Sequence, residues 1–177
     1  MQAKLEIEAG HGHGGGGMGG MMDDFVEDMQ KQIYEETKAV YGETFFQRWL
    51  NPLHMGSVRD ADGYGRVKGS CEDTMEIFLK FEGDRVREAS FQTDGCGSSM
   101  VCGSFAAEMA IGKTPDEIVG ISGETILQRL GGLPEAEKHC AFLAAETLQE
   151  ALDDYIKKQR TGRNEAQDPN GLKTTGK

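Results

Sequence analysis

Three cysteines in unlike surroundings carry the chemistry open to this sequence: Cys71-Glu72-Asp73, Gly95-Cys96-Gly97 and His139-Cys140. Thiolates select zinc, copper(I) or iron–sulfur clusters, imidazole suits zinc and iron, and a carboxylate adds a weaker oxygen ligand. Cys71, Asp73, Cys96, His139 and Cys140 are thus five candidate ligands for what is ordinarily a four-coordinate shell. Taken singly, each thiol reads as a small buried hydrophobe. That reading weakens here because all three stand beside glycine, a carboxylate or a histidine at the ends of predicted elements. Cys102 is the contrast: it falls in the small, apolar run Val101 to Ala107 and reads as packing. His54, in the loop after Pro52, has no companion ligand in sequence and reads as a surface histidine.

The elements that must position these groups follow from hydrophobic period. Apolar residues at 22, 25, 26, 29, 33 and 40 predict an amphipathic helix over 22–40, whose stripe is expected to pack on its own domain. A short helix over 43–50 should stop at Asn51-Pro52. Residues 74–81 alternate, with Met75, Ile77, Leu79 and Phe81 on one face, and 86–93 continues as a strand after the turn Glu82-Gly83-Asp84. A shorter strand is expected over 66–70, so that Cys71 follows one strand and Cys96 another. From Ser98 the pattern is helical, over 98–111, 115–119, 123–130 and a long 136–158. Strands followed by helices predict an α+β domain.

This order places each ligand at an element end. Cys96 lies between two glycines beside a helix N-terminus, where thiolates are stabilised. Cys140 falls in the first turns of the long last helix, whose apolar face of Ala144, Leu148, Ala151, Leu152 and Tyr155 belongs to the core. At the start of a strand the two-residue step from Cys71 to Asp73 turns both side chains to one face.

The chain has 177 residues, 30 acidic against 19 basic, and a formal charge of −11. That charge repels phosphate backbones and anionic lipid, so nucleic acid and membrane are not expected as partners, and basic proteins are favoured. No apolar run reaches the length of a signal sequence or membrane span, and the cytoplasm is the expected compartment. In a reducing compartment cysteines without paired C-x-x-C spacing read as ligands or catalysts rather than a disulfide framework. Residues 1–21 form a Gly/His/Met-rich leader expected to be disordered, in which His11, His13 and the nearby methionines could hold a soft metal only loosely. The amphipathic helix 22–40, a folded domain over 41–158 and a polar, disordered tail over 159–177 complete the expected organisation.

The residues from Tyr41 to about Lys158 resemble the IscU and NifU N-terminal-domain family of iron–sulfur cluster assembly scaffolds. The resemblance is carried by Tyr41-Gly42-Glu43, Asn51-Pro52, Gly56, Gly65 to Gly69 before Cys71-Glu72-Asp73, Phe91-Gln92-Thr93-Asp94-Gly95-Cys96-Gly97-Ser98, Leu133-Pro134 and His139-Cys140, in that order. It implies a three-stranded antiparallel sheet covered by helices, with the ligands at one end. It further implies that Cys71, Cys96 and Cys140 collect sulfur from a cysteine desulfurase, receive iron and hold a transient [2Fe-2S] cluster for apo iron–sulfur acceptor proteins. Asp73 would keep that cluster labile, His139 would be an alternative ligand, and Cys140 would be the persulfide acceptor. The implied role is that of a carrier rather than an enzyme; zinc suits the same site, and a homodimer is left open.

Three departures stand out. Leu133-Pro134-Glu135-Ala136-Glu137-Lys138 replaces the Leu-Pro-Pro-Val-Lys read by a dedicated chaperone, which leaves chaperone delivery in question. Glu72 stands where glycine is usual, and is expected to face solvent. Residues 1–40 extend beyond the usual start, and the pattern after residue 160 resembles a stand-alone scaffold rather than a full-length NifU. The main rival is a zinc-bound sulfurtransferase partner of a desulfurase, as in the SufU branch. That branch inserts a loop before its third cysteine and lacks the histidine, whereas here Cys96 and Cys140 are 44 residues apart and His139 is present. A structural zinc domain with a partner-docking helix 22–40 would be expected to pair its ligands on knuckles. A cysteine-nucleophile enzyme built on Cys140 and His139 is disfavoured, since helix neighbours point about 100° apart.

Overall fold

The computed structural model describes the backbone of residues 18–167 and the side chains of residues 22–161. The leader histidines His11 and His13 and the end of the predicted tail lie outside the described residues. Helix α1 spans Met18–Leu50 and is broken at Gly42, whose φ of 82° and ψ of 169° are non-helical. The break falls between the two helices predicted over 22–40 and 43–50, and glycine reaches this backbone region without a Cβ clash. The chain divides between Glu36 and Thr37 into two compact units. In the first unit Met22, Phe25, Val26, Met29 and Ile33 are exposed.

The second unit is built on a three-stranded antiparallel sheet in the order β1-β2-β3: Gly63–Lys68, Thr74–Glu82 and Arg85–Thr93. Met75, Ile77 and Leu79 of β2 are fully buried, as the period-2 alternation requires, and Phe91 of β3 pairs with Ile77. Helices α2 (Gly97–Ala110), α3 (Pro115–Val119), α4 (Gly123–Leu130) and α5 (His139–Gln167) follow, so apart from α1 the strands precede the helices, and the α+β reading holds. Helix α5 lies along β1, and its Ala144, Leu148, Ala151 and Leu152 are buried in the shared core.

Two boundaries differ from the sequence reading. Strand β1 begins at Gly63 rather than 66, because the glycines that read as loop are contact points. A Cβ on Gly65 would stand 2.3 Å from the Thr147 carbonyl oxygen of α5. Helix α5 begins at His139 after a short 3-10 turn over Glu135–Glu137, and runs on to Gln167. The close β1–α5 approach fixes the axis of α5, and with it the height at which His139 and Cys140 meet the sheet end.

Candidate metal-binding site

At one end of the sheet, side-chain hydrogen bonds close the strands around the predicted ligands. Asp94 Oδ1 accepts from the Thr74 backbone N–H at 2.6 Å, and Thr93 Oγ1 donates to the Thr74 carbonyl at 2.8 Å. The chain then leaves β3 through Gly95, and Cys96 caps the N-terminus of α2 with extended backbone. On the other side of β2, the Gly69 N–H bonds to the Asp73 carbonyl at 2.8 Å and the Glu72 N–H to the Gly69 carbonyl at 3.1 Å. That turn carries Cys71 and aims Asp73 at Gly95. A Cβ on Gly95 would lie 2.4 Å from Asp73 Oδ2, so the carboxylate occupies space that only glycine leaves open.

Ser99, one helical turn into α2, is the hub of the arrangement. Its hydroxyl donates to Asp73 Oδ2 at 2.8 Å, and its oxygen lies 3.4 Å from Cys140 Sγ and 3.8 Å from Cys96 Sγ. His139 Nε2 lies 3.6 Å from Cys140 Sγ, so the imidazole reaches its helix neighbour despite the angular step between them. The hydrogen bond from Ser99, then those from the Cys71 thiol and the Cys96 backbone N–H, with His139 nearby, hold the Asp73 carboxyl below its ordinary range against the opposing effect of burial. Burial acts the other way on the thiols: it pushes Cys140 up to about 12 despite the Ser99 hydroxyl, and pushes Cys102 higher still. Cys71 and Cys96 are exposed, whereas Cys140 and Cys102 are buried.

The structure therefore brings Asp73, Cys96, His139 and Cys140 together, with Cys71 exposed on the turn two residues before Asp73. Among the described residues no group of three or more His, Cys, Asp and Glu is drawn tightly enough to hold a metal ion as it stands. Asp73, Cys96 and Cys140 meet through the Ser99 hydroxyl rather than around one point. Cys102 is fully buried in the core, as its run of small residues predicts. Glu72 points to solvent, where it pairs with Lys68. His54 joins no ligand; its backbone carbonyl accepts from the Phe91 N–H at 2.9 Å.

Residues outside the predicted set complete the surroundings. Glu137 accepts from Tyr41 Oη at 2.7 Å and from the Ser98 hydroxyl, so it ties α1 and the start of α2 to the segment before His139. The bond to Glu137, with burial and the neighbouring charge, raises the Tyr41 phenol to about 12. Tyr41, Phe45, Trp49, Cys96 and Glu137 line a cleft of about 250 Å³ next to the site. Ser99 gave no signal in sequence: a serine in a run of small residues reads as helix filler. Glu137 did give one, as an acidic residue at the departure before His139.

The family model described as NifU-like N terminal domain matches residues 40–162. The chain belongs to this family. Among its relatives, the iron-sulfur cluster assembly scaffold protein IscU 1 of Archaeoglobus fulgidus is 39% identical over 120 residues, covering 67% of this chain and 78% of the relative. The corresponding scaffold protein IscU of Aquifex aeolicus is 36% identical over 122 residues, with the same coverages of 67% and 78%. Among solved structures, a NifU-like protein (N-terminal) from Brucella abortus superposes with a TM-score of 0.55 at 18% identity, covering 68% of this chain and 97% of that one. The likeness in structure concerns the fold, and it places the three-stranded sheet with its helices among NifU-like domains. All five predicted ligands of this NifU-like domain lie inside the matched residues.

Proposed function

We propose that this protein is a scaffold on which a [2Fe-2S] cluster is built from iron and desulfurase-derived sulfur and then passed to apo-proteins. Cys71, Cys96 and Cys140 supply thiolates, and Asp73 or His139 completes the shell. The observation that carries this reading is the convergence of three separate chain segments on the Ser99 hydroxyl, which sets two of the cysteines around a carboxylate that stands two residues from the third. The scaffold names of the Archaeoglobus and Aquifex relatives support it.

Exposure suggests an order of events. Cys71 and Cys96 face solvent and meet incoming iron first, while Cys140 is buried with its thiol held protonated. A metal ion at the site displaces thiol protons, because only the thiolate is a ligand. Cys140 then gains the thiolate form, which attacks the outer sulfur of the desulfurase persulfide, breaking that S–S bond and releasing the desulfurase cysteine as a thiolate. Reducing that sulfur to bridging sulfide requires an external electron donor. Release follows from the mixed shell, since a carboxylate holds a cluster iron less firmly than a thiolate does. The cytoplasm is the proposed compartment, and a cysteine desulfurase and apo iron–sulfur proteins the proposed partners.

Anaerobic incubation with a cysteine desulfurase, cysteine and ferrous iron should produce sulfide-to-iron charge-transfer bands and a species that activates apo-ferredoxin. Absence of those bands, with stoichiometric zinc surviving the incubation, would overturn the scaffold reading in favour of the zinc sulfurtransferase. Asp73→Ala should slow cluster transfer to apo-ferredoxin and lengthen cluster lifetime by roughly tenfold, in the range of ligand-sphere changes. An unchanged transfer rate would remove Asp73 from the release step.

A further inference from the structure

We propose that Ser99 is a positioning residue of the site: its buried hydroxyl holds the Asp73 carboxylate where a metal ion collected by the cysteines will meet it. This rests on the metal-binding reading of the pocket. Ser99 is fully buried in α2, where a hydroxyl is costly unless it is hydrogen-bonded. Its side-chain partners are all site residues: Asp73 Oδ2 at 2.8 Å, Cys140 Sγ at 3.4 Å and Cys96 Sγ at 3.8 Å. A serine hydroxyl carries a single hydrogen, and the short contact assigns it to the carboxylate. The two sulfurs then face the oxygen lone pairs, where a thiol hydrogen can donate.

The space around the pair supports the same assignment. Gly95 leaves room for the carboxylate, since a Cβ there would come within 2.4 Å of Asp73 Oδ2 and 2.7 Å of Ser99 Cβ. Asp73 is therefore packed over a glycine with Oδ2 tied to α2. Of the contacts that hold the carboxylate, the Ser99 hydroxyl acts most strongly on its charge. Alanine at 99 would fill nearly the same volume and remove the tie between Asp73 Oδ2 and α2. Partners that orient a metal ligand in this way commonly matter by 10- to 100-fold in affinity.

The test is cobalt(II) binding by the reduced, metal-free full chain, read by thiolate-to-cobalt charge transfer in competition with a chelator. It compares wild type, Ser99→Ala, Asp73→Ala and the double variant. The single ion measures ligand placement directly, apart from cluster lifetime. Ser99→Ala should weaken cobalt binding about tenfold, and its d–d envelope should move toward that of Asp73→Ala. In the Asp73→Ala background the same change should have almost no effect, which a purely structural role for Ser99 would not produce. A coupling between the two substitutions below about threefold overturns the inference, whether Ser99→Ala binds like wild type or loses affinity equally in both backgrounds. No thiolate-to-cobalt band in wild type overturns the metal-site reading and this inference with it, so the two failures are distinct.

Discussion

Glu72 sits between two proposed ligands with a φ of 68°, in the left-handed region. For a residue with a Cβ that conformation costs about 1–2 kcal/mol, whereas glycine adopts it freely at an unfolded-state cost of about 0.5–1 kcal/mol. The side chain is exposed, and its bond to Lys68 is a surface pair of small worth. Glu72→Gly should therefore raise stability by about 0.5–1 kcal/mol, read as a higher urea midpoint with an unchanged m-value. The cysteines also sort by environment. In the metal-free protein iodoacetamide should label exposed Cys71 and Cys96 first, and Cys140 more slowly because burial holds its thiol near 12. Cys102 should react only on unfolding; mass spectrometry of timed samples would show the order, and early labelling of Cys102 would contradict its place in the core. The candidate ligands stand out in sequence because cysteine beside glycine, carboxylate or histidine is chemically conspicuous. Ser99 was not legible, because its role lies in a contact between α2 and the turn before β2 that no local pattern announces.

Helix α3 shows how a short element is held by its first turn. Pro115 follows the N-cap Thr114, whose hydroxyl accepts from the Glu117 N–H at 3.3 Å while Glu117 Oε2 accepts from the Thr114 N–H at 3.0 Å. Thr114→Ala removes half of this capping box and should cost about 1 kcal/mol. The bond from the Thr114 N–H, followed by the Lys113 side chain, lowers the Glu117 carboxyl to about 2. A folded-state pKa below the unfolded one stabilises above the unfolded value of 4.5 and is lost as pH falls toward 2. Melting temperatures of wild type and Glu117→Gln should therefore differ at neutral pH and converge as the pH approaches 2. A constant difference would mean that the charge is not what matters. This helix and its neighbours were readable because Pro, Thr and Glu in that spacing are local signals. Strand β1 was misplaced by three residues because Gly65 serves a distant partner, the α5 backbone.

At the scale of the whole molecule, the core decides what the domain needs. Among the described residues every buried apolar side chain lies at or beyond Phe45, in the sheet, α2 to α5, the last turns of α1 and, with Val58 and Ile121, the loops between them. The hydrogen bonds that gather the ligands likewise begin at Tyr41, through its bond to Glu137. The unit that ends at Glu36 instead carries exposed Met22, Phe25, Val26, Met29 and Ile33 beside several acidic residues. Stability scales with buried apolar area, and Met22, Phe25 and Val26 of that unit each keep more than half of their surface exposed, so removing residues 1–36 should leave the remainder folded. A chain beginning at Thr37 should melt within about 4 °C of the full protein, the shift that ~1 kcal/mol produces at this size. Its cobalt affinity should stay within about twofold, since a smaller change than that is under 1 kcal/mol. A large fall in melting temperature would show that the first unit contributes to the fold, whereas a fall in metal affinity at unchanged stability would tie it to the site itself. Because the two readouts depend on different residues, the core on one hand and the Ser99-centred ligands on the other, one truncation separates the two roles.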